Sequence, residues 1–342
     1  MLRKNRHILF LTVILVMTGI RLRAQDPIFS QFYTSPLTIN PSLAGNGESD
    51  WRLVANRRNQ VLVDGGGSLN TTSISLDGKL FRQKVVNTNY IAGGLQLLQD
   101  DGLGGAYKSN SIQAMLASHV SLDEDDRNGL SLGLGASYAN TLINYSQLSF
   151  GQQLSASGFN RALPTNEPFL NNVQPYYSLA AGVTYTYTTE SQSFDIGLAS
   201  YRFMKTVRTA LSDPTQIDPP RMNLHADYQT YLNEQTVFNT NAMVVFENGS
   251  NTYMGGVNFG RILDETESEQ PPTVLNMGLW YRNNEAVIPY LGMMYKNLQI
   301  GLTYDVNVGS ANYAVGTLRT FEFSLIIRSP KRREHGIPCP WK

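Results

Sequence analysis

Histidine is the side chain that most often serves as a general base, and the 342-residue chain contains four of them. One lies in the N-terminal stretch, which leaves His119, His225 and His335 for chemistry. Neither a Gly-x-Ser-x-Gly nucleophile elbow nor a His-Glu-x-x-His zinc motif is present. An enzyme would need a Ser/His/acid set built on His119 or His225, but a predicted strand position beside Asp227 favours a lumen or interface role for His225. No catalytic residue is therefore predicted.

Metal and phosphate sites are also not indicated. The acidic stretch 123–129 resembles the start of a calcium loop, but Gly135 stands where the closing bidentate Glu belongs, so a polar hairpin turn is favoured. The glycines at 65–67 and 102–105 lie between predicted strands, whereas a phosphate loop needs a helix after it. The single cysteine, Cys339, permits no intrachain disulfide and no multi-cysteine metal site. We expect no cofactor.

The composition favours a β-barrel in a membrane. Lys and Arg (27) balance Asp and Glu (27), which argues against a nucleic-acid partner. Charged residues make up 16%, below the roughly 25% of soluble domains, and Gly (29) and Tyr (18) are frequent. Beyond the N-terminus no apolar run approaches the ~20 residues of a spanning helix. A membrane protein of this sequence would therefore cross the bilayer with β-strands.

The N-terminus has the layout of an export signal. Arg3, Lys4 and Arg6 precede an apolar stretch at 8–20, and Ala24 offers a small residue at the cleavage site. The apolar part is too short for a membrane anchor. Residues 1–24 are therefore predicted to be a cleaved signal peptide.

Alternation with a period of two dominates the remaining chain. Apolar residues alternate with small or polar ones in stretches such as 130–138, 275–281 and 298–304. These stretches run about 8–12 residues, close to the ~9–11 that a tilted membrane strand requires. The pattern predicts an all-β fold, an antiparallel transmembrane barrel with lipid on one face of each strand.

Fourteen such segments are predicted. An even number of strands suits a barrel whose N- and C-termini both lie in the periplasm. The barrel would span 51–328, followed by a periplasmic tail at 329–342. Connections after odd-numbered strands include the long ones, 139–175, 202–220 and 306–320, as expected for outer loops. The acidic connection 264–272 is a long exception on the periplasmic side. The predicted first residues of the strands are Trp51, Thr71, Tyr90, Ser111, Asn128, Tyr176, Ser193, Arg221, Val237, Asn251, Val274, Ala286, Leu298 and Phe321.

Three prolines, at 27, 36 and 41, mark residues 25–50 ahead of the first strand. Proline is excluded from central strands and helix interiors, so we expect an extended periplasmic segment. Its sequence is Gln-Asp-Pro-Ile-Phe-Ser-Gln-Phe-Tyr at 25–33, then Pro-Leu at 36–37 and Asn-Pro-Ser-Leu-Ala-Gly at 40–45. This opening resembles that of the PorP/SprF family, outer-membrane barrels associated with type IX secretion and gliding in Bacteroidota.

Further stretches similar to that family run along the whole chain. They are Arg-x-x-x-Asn-x-Arg-x-Gln at 52–60, Ser-x-Ser-x-Asp at 73–77, Leu-x-Phe-Gly-x-Gln at 148–153, the His-x-Asp-Tyr of 225–228, Tyr-Asp-Val-Asn at 304–307, Glu-x-Ser-Leu at 322–325 and the closing Cys-Pro-Trp-Lys at 339–342. Asp227 stands where the family commonly has Gly.

The resemblance implies a non-enzymatic outer-membrane protein that belongs to, or assists, the type IX secretion and gliding machinery. It would anchor machinery subunits (a periplasmic ring or peptidoglycan-binding proteins) or a secreted surface adhesin that it recognises through the adhesin's C-terminal secretion domain. The outer loops 139–175 and 202–220 would contact this cargo. The candidate periplasmic docking residues are Asp26, Pro27, Phe29, Ser30, Gln31, Phe32, Asn40, Pro41 and Gly45.

Two alternatives stay open at this point. The segment could simply plug or seal the lower rim of the barrel instead of docking a partner. The protein could also be a passive porin or solute channel, which would require an open lumen.

Overall fold

The fold is described from a computed structural model. It describes residues 27–62, 67–82, 89–156, 158–165, 174–204, 206–207, 217–263, 271–308 and 318–330. The predicted signal peptide, Asp26 and Cys339 lie outside these residues. In the described part of the chain no helix is long and apolar enough to cross a membrane.

Fourteen strands form one closed antiparallel barrel, which confirms the predicted fold. Each strand pairs with its neighbours in chain order, and the last strand closes the barrel on the first, with Arg52 opposite Arg328. The strands are β1 Trp51–Leu62, β2 Ser68–Arg82, β3 Tyr90–Gly102, β4 Tyr107–Ser121, β5 Asn128–Ile143, β6 Tyr176–Thr188, β7 Gln192–Tyr201, β8 Arg221–Asn233, β9 Thr236–Glu247, β10 Ser250–Ile262, β11 Val274–Arg282, β12 Ala286–Tyr295, β13 Leu298–Asn307 and β14 Leu318–Arg328.

The alternation in the sequence separates the two faces of the barrel wall. On β5, Leu132 and Leu134 are exposed on the outward face, while Ser131 and Gly133, which alternate with them, are buried on the inward face. On β13, Ile300 and Leu302 point outward and Thr303 and Asp305 inward. The outward apolar side chains suit hydrocarbon, and the polar ones face the lumen.

The two ends of the barrel differ in their connections. One end holds the turns of two to six residues at 122–127, 189–191, 234–235 and 296–297, together with the start of β1 and the end of β14. The other end holds the long connections 144–175 and 202–220. Each of them contains a pair of antiparallel strands that are two residues long. In outer-membrane barrels the long loops face outward, so we call these the periplasmic end and the outer end.

Before β1 the chain makes three short helical turns, Phe32–Thr34, Pro36–Ile39 and Pro41–Leu43. The expectation of an extended segment is therefore wrong. Pro36 and Pro41 each take the first position of a turn, where proline's fixed φ favours helix and its missing N–H costs nothing. The Asn40 side chain accepts a hydrogen bond from the backbone N–H of Ser42, which caps the third turn.

Candidate functional site in the barrel lumen

Residues 28–45, called the plug segment below, lie inside the barrel. Their side chains are buried almost throughout, although they precede the first strand. The segment bonds to strands on opposite sides of the wall: Arg58 of β1 donates to the Ile28 carbonyl, Tyr201 of β7 to that of Leu37, and Glu322 of β14 accepts from Ser30. Only a position within the lumen reaches all of these strands.

The plug segment traverses much of the lumen height. Ser30 contacts Arg282, the last residue of β11 at the outer end, and Asp305, near the outer end of β13. Gly45 donates to Asp77 and accepts from Tyr90, which is the first residue of β3 at the periplasmic end. The chain therefore passes from the outer half of the lumen to the periplasmic rim, where it continues into β1.

A buried charged layer holds the first part of the plug segment. The backbone N–H groups of Ser30 and Gln31 donate to the two carboxylate oxygens of Glu322 at 2.8 and 3.0 Å. Arg58 pairs with the same carboxylate at 3.3 Å. Glu322 is 1% exposed, so removing these partners would leave a buried carboxylate without a counter-charge.

A second carboxylate lies beside the first. The Ser30 hydroxyl donates to Asp305 at 2.8 Å, and Arg282 forms an ion pair with Asp305 and a second one, at 2.8 Å, with Glu285. Asp305 is 2% exposed. Charge-assisted hydrogen bonds of this kind are stronger and more directional than neutral ones. They fix Ser30 in one position against the wall.

A neutral contact holds the middle of the segment. The Asn40 side-chain NH₂ donates to the backbone carbonyls of Val183 at 3.1 Å and Leu198 at 3.2 Å, and it lies 3.1 Å from His225 Nε2. The wall has no side chain where the segment passes most closely. A Cβ on Gly182 would collide with the Asn40 amide, and one on Gly133 would collide with the backbone of residues 41–42. These glycines shape the wall to the plug segment.

The end of the segment is held at the periplasmic rim. Gly45 has φ +64°, which suits glycine, and its N–H donates to Asp77 at 2.7 Å. Arg52 pairs with Asp77 at 2.8 Å and donates to the Leu43 carbonyl. His119 Nε2 lies 2.8 Å from the Ala44 carbonyl.

An apolar core lies between the plug segment and strands β9–β12. Tyr33 stacks on Trp280 of β11 with ring centroids 4.6 Å apart, and Tyr290 of β12 meets both rings edge-on. Trp280 is 1% exposed, and its ring N–H donates to Asn241 at 2.6 Å. Burial of large aromatic side chains stabilises strongly, so the plug segment is part of the folded core. The buried cluster also contains Phe32, Ile39, Leu43, Met243, Val245, Met254, Ala286 and Ile288.

Space remains beside the plug segment in two places. A cavity against the wall of β7–β9 has a volume of about 60 Å³ and is lined by Tyr33, Asp195, His225, Asp227 and Asn241, among others. A second cavity, of about 110 Å³, lies beside Asn46 and is lined by Tyr90, His119 and Ser131, among others.

Two histidines of the described part of the chain, His119 and His225, are buried on the lumen side of the wall. His119 Nδ1 lies 2.7 Å from the Ser131 hydroxyl, a Ser–His pair, but its other nitrogen meets a backbone carbonyl where a triad has a carboxylate. His225 contacts Asn40. No group of three His, Cys, Asp or Glu within the described ranges is arranged to hold a metal ion.

The structure brings together the stretches that carry the family resemblance. On β1 the four named residues of the Arg-x-x-x-Asn-x-Arg-x-Gln stretch, Arg52, Asn56, Arg58 and Gln60, lie on the face that turns to the lumen. Each of the first three donates to the plug segment. Asp77, His225, Asp305, Glu322 and Ser324, from the other strand stretches, also contact it. The opening stretch and the strand stretches are two sides of one interface, which sequence reasoning missed.

The predicted docking residues fall in this interface. Phe29 and Phe32 are 2% and 3% exposed, and Ser30, Gln31, Asn40, Pro41 and Gly45 are also buried. Pro27 begins the described chain with intermediate burial, and Asp26 lies outside it. A signal was available in the sequence: charged residues such as Arg58 and Glu322 occupy inward positions of predicted membrane strands, where they need partners.

A comparison with family models assigns the chain to a family. Residues 22–327 match the family described as type IX secretion system membrane protein PorP/SprF. A comparison with curated proteins finds no significant match.

Two solved structures with a TM-score of 0.50 share the barrel fold at low identity, and a third gives a weaker likeness. The TodX deltaS2S3 mutant monoaromatic hydrocarbon channel aligns with a TM-score of 0.50 at 10% identity, covering 87% of this chain and 94% of that chain. The TodX deltaS2 mutant gives 0.50 at 11% identity, covering 88% and 94%. A Pseudomonas aeruginosa FadL homologue gives 0.47 at 11% identity, covering 91% and 96%.

Proposed function

Since the chain belongs to the PorP/SprF family of type IX secretion system membrane proteins, we propose that it is a sealed outer-membrane anchor of that machinery. It would hold machinery subunits on its periplasmic side or a secreted adhesin on its outer side, and would catalyse no reaction. The family and the barrel fold are those of secretion and transport membrane proteins.

One observation carries the proposal, namely that the chain's own plug segment crosses the lumen and bonds to its wall. A porin needs a continuous aqueous path through the lumen. Here the plug segment bonds to Glu322, Asp305 and Asp77 on the wall and packs its rings against Trp280. These contacts support an anchor in preference to a passive porin or solute channel.

The burial of the plug segment in the lumen supports a sealing role for this segment over a docking role. Docking of a periplasmic subunit by residues 26–45 stays a prediction, and the buried residues from Phe29 to Gly45 could take part only by leaving the lumen. The periplasmic surface that a subunit would meet is formed by the short turns, such as 122–127 and 189–191. We propose these turns as the anchoring surface.

The outer connections suit recognition of a large cargo. Gln153 is buried within the connection 144–175: its amide NH₂ donates to the carbonyls of Arg161 and Leu163, and its oxygen accepts from Phe150 N–H. This ordering gives the described residues around Gln153 a defined surface, on which Leu154 and Phe159 are exposed. We propose that this surface contacts the C-terminal secretion domain of an adhesin.

Deletion of the gene tests the proposal, with quantitative proteomics of the cell surface and the culture medium. Loss of every type IX substrate would identify a core anchor, and loss of one adhesin a dedicated cargo partner. An unchanged set of secreted proteins would overturn the proposal and favour a channel. Complementation with Leu154→Ser/Phe159→Ser separates the two roles, because only cargo binding should need these side chains.

A further inference from the structure

The two ends of the outer connection 202–220 lie against the plug segment. Tyr201 is the last residue of β7 and Arg221 the first of β8, and the two lie opposite each other in the β7–β8 ladder. The Tyr201 hydroxyl donates to the Leu37 carbonyl at 2.8 Å, and the Arg221 guanidinium donates to the Thr38 carbonyl at 2.8 Å. The connection therefore begins and ends beside residues that hold the plug segment.

These bonds satisfy the end of a helical turn. The last carbonyl groups of a helix have no partner within it, and the turn Pro36–Ile39 ends at the carbonyls in question. Asn223, two positions further along β8, donates to the Ile39 carbonyl at 2.8 Å. The Arg221 guanidinium also lies 4.5 Å from the centre of the Tyr201 ring. We call Tyr201, Arg221 and Asn223 the plug clamp.

A carboxylate lies on the other side of Arg221. Glu247, the last residue of β9, is opposite Arg221 in the β8–β9 ladder and is 6% exposed. Residues opposite each other in an antiparallel pair have Cβ atoms about 4.5–5.5 Å apart, so the long Arg221 side chain can reach this carboxylate. Arg221 therefore has two acceptors within its reach, the Thr38 carbonyl of the plug segment and the Glu247 carboxylate of the wall.

Arg202 is the ion-pair partner of that carboxylate. Its guanidinium pairs with Glu247, and its Nε–H donates to the Pro219 carbonyl at 3.0 Å. Arg202 is itself 9% exposed. One side chain thus joins residues 202 and 219, at the two ends of the outer connection, to the carboxylate that faces Arg221.

A buried carboxylate that loses its counter-charge is costly, and a cation directly opposite relieves that cost. We propose that Arg202, Glu247 and Arg221 form a switch between the outer connection and the plug segment. When a ligand on the connection draws Arg202 away from Glu247, Arg221 turns to Glu247 and releases the Thr38 carbonyl. The plug clamp then loses its charged member, and the turn Pro36–Ile39 loosens.

The release is local. Ser30, nearer the start of the plug segment, is bound by Asp305 and Glu322, on strands β13 and β14. Loosening at residues 38–40 therefore leaves these bonds in place. The switch is built within one chain, so its test stands apart from the proposed function and needs no cargo.

Hydrogen exchange of the full chain in phospholipid vesicles, read by mass spectrometry, tests the switch. Arg202→Met imitates the withdrawal of Arg202 and touches no residue of the plug segment. We expect exchange at residues 38–40 to become about tenfold faster and exchange around Ser30 to stay unchanged, because the opening is local. The matched control is Arg161→Met in the other outer connection, 144–175, which should leave both regions unchanged.

Restoration by a second substitution separates the switch from a simple brace. In Arg202→Met/Glu247→Gln the carboxylate no longer attracts Arg221, so exchange at residues 38–40 should return to the wild-type rate. Arg202→Lys keeps a cation beside Glu247 and should also exchange like the wild type. Unchanged exchange in Arg202→Met, or faster exchange that Glu247→Gln does not reverse, would overturn the inference.

A double-mutant cycle gives an independent readout. Arg221→Met removes the charged member of the plug clamp, so it should raise exchange at residues 38–40 by itself. Adding Arg202→Met to this variant should change exchange there no further, because Arg202 acts through Arg221. Additive effects of the two substitutions at residues 38–40 would show that they act separately, and would contradict the switch.

Discussion

The two halves of the plug segment are held in the lumen by different physical means. In the outer half, Ser30 binds the carboxylates of Asp305 and Glu322, which are balanced by buried guanidinium groups. In the periplasmic half, Asn40 binds backbone carbonyls and the chain fits against Gly133, and the end at Gly45 returns to charge through Asp77, which pairs with Arg52. Charge holds the first half, and shape with neutral hydrogen bonds holds residues 40–42 of the second.

This difference predicts how much stability a substitution in each half should cost. Breaking a buried ion pair on one side is costly, because the remaining charge is uncompensated. Losing a neutral hydrogen bond costs less, since water satisfies its partners in the unfolded chain. The outer half should therefore be the more sensitive to single substitutions, and the periplasmic half the more sensitive to added volume.

Arg58→Met should have the largest effect. It leaves Glu322 buried without its ion-pair partner, so we expect the free energy of unfolding to fall by about 3–5 kcal/mol. Urea unfolding in vesicles measures this loss. The double variant Arg58→Met/Glu322→Gln should recover most of it, because Gln still accepts a hydrogen bond from the plug segment.

The control for that experiment is Arg127→Met. Arg127 pairs with Asp125 on an exposed turn, so its loss should cost less than about 1 kcal/mol. If Arg58→Met were no more damaging than Arg127→Met, the charged layer would not hold the outer half.

Gly133→Ala should have the next largest effect. Its Cβ would collide with the backbone of residues 41–42, and overpacking of this kind costs about 1–3 kcal/mol. We expect limited proteolysis to cut the displaced plug segment. Gly129→Ala is the matched control on the same strand, because the nearest atom to its Cβ is 3.8 Å away. Equal effects of the two variants would refute a fitted wall.

Asn40→Ala should have a smaller effect. It removes hydrogen bonds to the Val183 and Leu198 carbonyls and the cap on the third helical turn at Ser42, which together we expect to cost about 1–2 kcal/mol. Hydrogen exchange should increase around residues 38–45 and stay unchanged around Ser30. Uniform exchange along the whole plug segment would mean that the two halves are not held separately.

The smallest expected effect lies outside the lumen, in the turn 122–127. The backbone N–H of Asn128 donates to Asp123 at 3.0 Å, and this bond lowers the pKa of the Asp123 carboxyl below its usual value. A carboxyl whose pKa is lower in the folded state stabilises the fold above its unfolded pKa, and that contribution is lost as pH falls through the folded pKa. Asp123→Asn should thus be slightly less stable than the wild type at pH 7 and equal to it in strong acid. A difference that persists in strong acid would contradict this assignment.

The strands were predictable because each outward face must be apolar. All fourteen were found, and eight of the predicted first residues match the structure, including Trp51 and Asn128. The largest error is β4, which begins at Tyr107 instead of Ser111. Lys108 and Asn110 are the outward residues there, ahead of the outward apolar residues of β4. The strand continues by hydrogen bonding, although its outward face is no longer apolar.

The lumen contacts were not predictable from local pattern. Ser30 and Glu322 are 292 residues apart, and no periodicity connects them. The prolines indicated a break in regular structure but not its shape, because Pro36 and Pro41 start helical turns as readily as they interrupt strands. What the sequence did contain was a surplus of charged residues on inward faces, which required partners inside the barrel.

Single-channel recording in planar bilayers tests the central claim, that the barrel is sealed by its own plug segment. The wild-type protein should show no stepwise conductance, while a variant lacking residues 28–45, confirmed as a folded barrel by circular dichroism and resistance to denaturation, should conduct. A stable open channel in the wild type, unchanged by removal of residues 28–45, would contradict the account and make the protein a porin.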